Sequence, residues 1–94
     1  MRIMTFNANG VRSAANKGFF PWFSGQDVDI LCMQETKAQE HQLADAAFRP
    51  EGYHAAFRDA VTKKGYSGVA IYSRRAPDEI RTGLGWSPFD DEGR

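Results

Sequence analysis

The sequence predicts an α/β fold: a mixed sheet with helices packed against it. Three observations carry this. Apolar runs at residues 2–7 and 28–34, each bounded by turn-forming residues, read as buried strands. A helical stretch between them makes a crossover unit of the kind that joins parallel strands. Two further strand patterns, separated by the basic linker Thr62-Lys63-Lys64-Gly65-Tyr66-Ser67, read as an antiparallel hairpin. The order strand, helix, strand, helix, strand, strand mixes both kinds of pairing.

Each element has a local reason. Residues 2–7 start a strand almost at the first residue. Asn9-Gly10 is a hairpin signal, but no alternating strand follows it. Ser13-Ala14-Ala15-Asn16-Lys17 follows instead, with Ser13 as the expected N-cap of a helix. Ala15, Phe19, Trp22 and Phe23 then fall on one helical face. Pro21 fits only the first turn of a helix, so the helix kinks or restarts near Gly18. The aromatic cluster is expected to be core against the sheet. Residues 28–34 form the second strand and bury Cys32. Residues 39–48 are expected to form a short amphipathic helix through Leu43, Ala46 and Ala47, closed by the turn Arg49-Pro50-Glu51-Gly52. Residues 53–58 and 68–73 are the hairpin strands, 78–82 a further edge strand, and 83–94 a loop. One sheet covered on one face leaves the other bare, with Met4, Leu31, Val69 and Ile71 as its expected apolar residues.

Composition narrows the function classes. Ninety-four residues hold one small domain with a thin stability margin. A hydrophobic content of 41% with 13% aromatic residues argues against disorder. The 12 basic and 12 acidic residues cancel, which argues against a general electrostatic nucleic-acid binder and leaves room for a local basic face. A single cysteine provides no disulfide framework and suits a reducing compartment. The absence of a leader-like apolar segment and of any run of 18 apolar residues points to the cytoplasm and away from membranes.

Two stretches carry candidate chemistry. Thr5-Phe6-Asn7-Ala8-Asn9-Gly10-Val11-Arg12-Ser13 and Asp29-Ile30-Leu31-Cys32-Met33-Gln34-Glu35-Thr36-Lys37 are apolar runs that end abruptly in polar groups. Asn7, Asn9 and Glu35 at adjacent parallel strand ends converge on one crevice and make a plausible oxygen-ligand site for Mg²⁺. Glu35 is otherwise a solvated strand-end charge paired with Lys37, and Asn7 a turn residue bonding its own backbone. Arg12 and Lys37 lie where a phosphodiester would have to sit, or are plain surface charges. Lys63, Lys64 and Tyr66 make a basic, aromatic hairpin tip, suited to a nucleic-acid groove or to solvent. His41 and His54 are not placed as a catalytic base. No glycine-rich phosphate loop, cysteine metal pattern or Ser–His–Asp signature occurs.

Three motifs then match a family. Phe6-Asn7-Ala8-Asn9-Gly10-Val11-Arg12, Leu31-Cys32-Met33-Gln34-Glu35-Thr36-Lys37 and Lys64-Gly65-Tyr66-Ser67-Gly68-Val69-Ala70 resemble, in order, the first three signatures of the exonuclease III family of apurinic/apyrimidinic (AP) endonucleases, within the endonuclease/exonuclease/phosphatase superfamily. The resemblance covers essentially the whole chain. It implies the N-terminal part of a four-layered α/β sandwich, so that residues 1–94 are a partial domain. It implies a DNA repair nuclease acting with Mg²⁺, or Mn²⁺ in its place, on duplex DNA. The implied reactions are hydrolysis 5′ to an abasic site and 3′-to-5′ exonuclease activity, without a stable protein partner. By resemblance, Asn7 and Glu35 are catalytic. Glu35 is the main metal ligand, supported by Asn7, with Asn9 at a position where some members carry an Asp ligand. Arg12, Lys37, Lys63, Lys64 and Tyr66 are DNA-side groups.

Family members are more than twice this length, and their catalytic Tyr, Asp-x-Asn pair and C-terminal Asp-His have no counterpart in these residues. The chain alone is therefore expected to be inactive. The alternatives are another phosphodiesterase of the superfamily, acting on a lipid or an RNA tail, and a non-catalytic remnant. Lys37 and Tyr66 speak against the first. The missing catalytic groups speak for the second.

Overall fold

The computed structural model describes residues 1–60 and 65–80. Its elements are β1 (Ile3–Asn7), α1 (Val11–Asn16), α2 (Phe19–Ser24), β2 (Ile30–Gln34), β3 (His54–Arg58) and β4 (Val69–Ser73). Two 3₁₀ turns, Glu40–Leu43 and Ala46–Phe48, lie between β2 and β3. The strands form one mixed sheet in the order β1-β2-β4-β3. β1 and β2 run parallel, joined by the α1–α2 crossover, and β4 runs antiparallel to both β2 and β3. The hairpin is present, with its second strand placed in the middle of the sheet.

Pleating divides each strand between two faces. Leu31 and Met33 of β2 and Ala70 and Tyr72 of β4 are buried beneath the helices, with Met4 and Phe6 of β1 packed beside them. The helices contribute Val11, Ala14, Phe19, Phe20 and Phe23. Phe6 stacks on Phe19 at 4.5 Å, Phe20 meets Tyr72 at 5.7 Å, and Phe23 meets Tyr53 at 5.0 Å. Buried phenols need partners. The Tyr72 hydroxyl donates to the Phe48 carbonyl at 3.0 Å, and the Tyr53 hydroxyl donates to the Val28 carbonyl at 2.5 Å.

Several expectations are corrected. Helix α1 begins at Val11 rather than being capped by Ser13. The residue before it is Gly10, which has no side chain to cap with, and the Gly10 and Val11 N–H groups donate to the Glu35 and Thr36 carbonyls, each at 2.9 Å. Pro21 does sit in the first turn of a second helix, which restarts after the left-handed Gly18. Trp22 is 54% exposed and Phe20 takes its place in the core. The amphipathic helix at 39–48 is replaced by the two 3₁₀ turns. Leu43 alone of its three apolar positions is buried, too little to stabilise a longer helix, and Asp45 restarts the chain by accepting from the Ala47 N–H at 2.9 Å. No strand forms at 78–80; residues 81 and 82, and the loop expected at 83–94, lie outside the described residues.

The open face also differs from expectation by strand parity. Met4 and Leu31 point to the helices. The bare face carries Ile3, Cys32, Val69 and Ile71, with Ile3 62% and Ile71 50% exposed, and Cys32 is half-buried there rather than buried. The chain on its own is expected to self-associate with rising concentration and to bind a hydrophobic dye. Replacing Ile3 and Ile71 together with Lys should suppress both in sedimentation and fluorescence measurements; a wild-type monomer that ignores the dye at every concentration would contradict this face.

The opposite end of the sheet is fastened by a charge clasp. Asp29 accepts from the Arg2 backbone N–H at 2.7 Å, and Arg74 reaches Asp27 at 2.7 Å and Asp29 at 3.4 Å. The Arg2 N–H, helped by the Arg74 charge, holds the Asp29 carboxyl below its ordinary value. A lowered carboxyl contributes stability that is present above the unfolded value and lost as pH falls through the folded one. Asp29→Asn should therefore lower stability at neutral pH and flatten the acid limb of a pH–stability curve measured by urea unfolding.

Candidate active site

The polar end of the sheet is built by backbone before any side chain acts. The β1–β2 pairing continues past the strands, with the Ala8, Gly10 and Val11 N–H groups donating to the carbonyls of Gln34, Glu35 and Thr36, each at 2.9 Å. On the other side, the Thr36 and Lys37 N–H groups donate to the Gly68 and Ser67 carbonyls at 3.1 and 2.7 Å. Residues 35–37 are thus laced from both flanks. The lacing imposes left-handed backbone on Asn9, Glu35, Lys37 and Ser67, with φ of 45°, 53°, 52° and 52°. Such conformations cost energy in non-glycine residues and cluster at functional sites. Gly68, at φ 89°, lies so close to Thr36 that a Cβ there would collide with the Thr36 hydroxyl.

The side chains close a ring over this frame. The Asn7 amide Nδ2 donates to Glu35 Oε2 in a short contact. Asn7 Oδ1 accepts from the Asn9 backbone N–H at 3.0 Å. Lys37 Nζ donates to Asn9 Oδ1 at 2.6 Å and stands 3.8 Å from Glu35 Oε1. Arg12 Nη2 donates to the Lys37 carbonyl at 3.1 Å. Asn7, Asn9, Arg12, Glu35 and Lys37 therefore come together, although residues 7–12 and 35–37 are far apart in the chain. The Glu35 and Lys37 side chains remain 42% and 40% exposed, open to a ligand. Tyr66 lines the same groove with Gln34, Ser67 and Val69. Lys63 and Lys64 lie outside the described residues. His54 sits at the far end of β3, and His41 is exposed on a 3₁₀ turn.

Reasoning from sequence missed the framing residues. Thr36 is 2% exposed and sits against Gly68, and the Ser67 and Gly68 carbonyls hold the Glu35 loop. Two glycines flanking Tyr66-Ser67 are the signal that a backbone must approach closely there. Chemically, the ring offers one carboxylate, two amide oxygens already engaged, and a cation beside them. Among the described residues no cluster of three His, Cys, Asp or Glu side chains exists, and no helix is long and apolar enough to cross a membrane.

The chain belongs to the Endonuclease/Exonuclease/phosphatase family, whose pattern matches residues 4–94. It is 40% identical, along its whole length, to the exodeoxyribonuclease of Bacillus subtilis, of which it covers 36%. It is 39% identical to a DNA repair nuclease of Danio rerio, of which it covers 31%. The structure of an AP endonuclease from Archaeoglobus fulgidus superposes with a TM-score of 0.80 at 40% identity, over 98% of this chain and 35% of that one. The chain thus spans about a third of the length of these relatives.

The Thr36–Gly68 contact is open to direct test. Gly52, at φ 85°, has nothing within 4 Å of a Cβ, so Gly52→Ala should cost only the backbone strain, about 1–2 kcal/mol. Gly68→Ala adds a steric clash to the same strain. It should destabilise the chain clearly more than Gly52→Ala in urea unfolding. Equal costs would mean that the close approach is absent.

Proposed function

We propose that these residues form the metal- and phosphate-binding part of a DNA repair nuclease, which hydrolyses phosphodiesters 5′ to abasic sites and at 3′ ends of duplex DNA. The observation that carries this reading is the ring Asn7–Glu35–Lys37–Asn9 at the parallel strand ends. The names of the relatives, an exodeoxyribonuclease, a DNA repair nuclease and an AP endonuclease, support DNA over a lipid or an RNA tail.

The donor set fits Mg²⁺, with Mn²⁺ as a substitute. Mg²⁺ is commonly held by one or two carboxylates together with substrate phosphates and water, and Glu35 supplies one exposed carboxylate. Asn7 spends its Nδ2 on Glu35 and its Oδ1 on the Asn9 N–H, so it aims the carboxylate. Asn9 Oδ1 accepts from Lys37 and keeps a second lone pair with which it would take part as a ligand. When bound, the cation polarises the phosphate and stabilises the leaving oxygen. Lys37 lines the crevice, and Arg12 is held beside it through the Lys37 carbonyl; both would bind the phosphate oxygens as charge-assisted donors. No described residue beside Glu35 is a candidate base for the attacking water. The 94 residues alone are therefore expected to show no detectable incision.

The test uses a chimera in which these residues replace the matching third of the Bacillus subtilis relative. Mg²⁺-dependent incision of an abasic-site duplex is expected from it. In that chimera Glu35→Gln keeps the shape and removes the charge. It should lower kcat by about 10²–10³-fold, the usual cost of one transition-state contact, with partial recovery at high Mg²⁺. Near-normal incision by that variant at low Mg²⁺ would remove Glu35 from the site.

A further inference from the structure

The sheet register extends the groove beyond the ring. Asn7 stands opposite Gln34, Gln34 opposite Val69, and Val69 opposite Arg58. Directly opposed residues point to the same face of a sheet, so these four side chains form one row across the open face. The groove already contains Asn7, Gln34 and Val69. Arg58 is the last member of the row, at the carboxyl end of β3. Strands lie about 4.8 Å apart, so three steps place it about 14 Å from Asn7.

The state of Arg58 supplies a second, independent observation. Its Nε is buried and has no hydrogen-bond partner among the described residues. No ion pair to its guanidinium is found among the described residues either, although Asp59 is its neighbour in the chain. A buried donor left unpaired costs free energy, and native structures rarely tolerate one without a reason. Nε–H and one Nη–H form the edge of a guanidinium that takes an oxyanion in two parallel bonds. A phosphate would satisfy the orphan donor once the Arg58 side chain turns outward, its Nε being closed to solvent in the free chain.

The geometry points to Arg58 as a backbone-phosphate site of the substrate strand, at the far end of the row that begins at Asn7. It extends the footprint across the width of the sheet. This inference rests on the nucleic-acid reading given above. A contact of this kind fixes the register of the strand and carries no base preference.

The experiment is fluorescence anisotropy of a labelled DNA duplex containing an abasic analogue, with the chain kept dilute and the salt concentration varied. Wild type should bind with a linear dependence of log K on log salt. Arg58→Gln should weaken binding several-fold at low salt and reduce the slope by about 0.9, the loss of one phosphate contact. Arg58→Lys keeps the charge and should keep the slope. Arg75→Gln removes an exposed cation at the opposite end of the sheet and should leave the slope unchanged. Circular dichroism confirms that each variant is folded. A slope unchanged in Arg58→Gln, or reduced equally in Arg75→Gln, overturns the Arg58 site while leaving the nucleic-acid reading intact. No binding by wild type overturns both.

Discussion

The constraint on which this structure depends is the lacing of residues 35–37 between two neighbours. Residues 8–11 hold the segment through its carbonyls and residues 67 and 68 hold it through its N–H groups. A loop at the end of a strand would ordinarily sample many conformations. Here both sides of the backbone are committed, so the left-handed turns at Glu35 and Lys37 are enforced rather than chosen. The cost of those turns is met by hydrogen bonds and by the sheet beneath them. In return, one carboxylate is held in place before any ligand arrives, and less ordering remains to be done on binding.

The electrostatics of the ring follow from that frame. A lone exposed carboxylate beside an ammonium is worth little as an ion pair. Its importance is directional. The Asn7 amide takes one carboxylate oxygen, and Lys37 stands by the other while bonding Asn9. The charge of Lys37 is thus available to an incoming anion without leaving Glu35 unopposed. Neutral net charge of the chain is compatible with anion binding because the cations Arg12 and Lys37 stand together beside the ring, while at the other end of the sheet Asp27 and Asp29 are paired with Arg74.

Much of this was legible in the sequence because strands ending in polar groups leave a sharp signature. Asn7 and Glu35 stood out since an apolar run stops at each of them, and the structure brings them into contact. The pairing of 53–58 with 68–73 followed from turn chemistry. What was not legible depended on parity and on partners distant in the chain. Strand runs that are apolar on both faces do not reveal which residues face the helices, so Met4 and Leu31 were misassigned. The start of α1 moved to Val11, where the Gly10 and Val11 N–H groups reach carbonyls some 25 residues away. The 39–48 segment kept a helical composition while lacking the buried face that would have made it a helix. Thr36 and Gly68 are visible only as a pair, and Arg58 only through a register that crosses three strands.

The strand order 1-2-4-3 has a consequence for how the chain acquires its shape. The strand that joins β2 to β3 is the last of the four to leave the ribosome. Until residues 69–73 emerge, β2 has one open edge and β3 has no partner at all. The carbonyls that clamp the Glu35 loop immediately precede that strand, at residues 67 and 68. Loop closure over so long a separation is slow, and open strand edges are prone to mispairing while they wait. The helical crossover and β1–β2 can therefore assemble early, whereas the polar corner around Glu35 is completed by the closing event of the sheet.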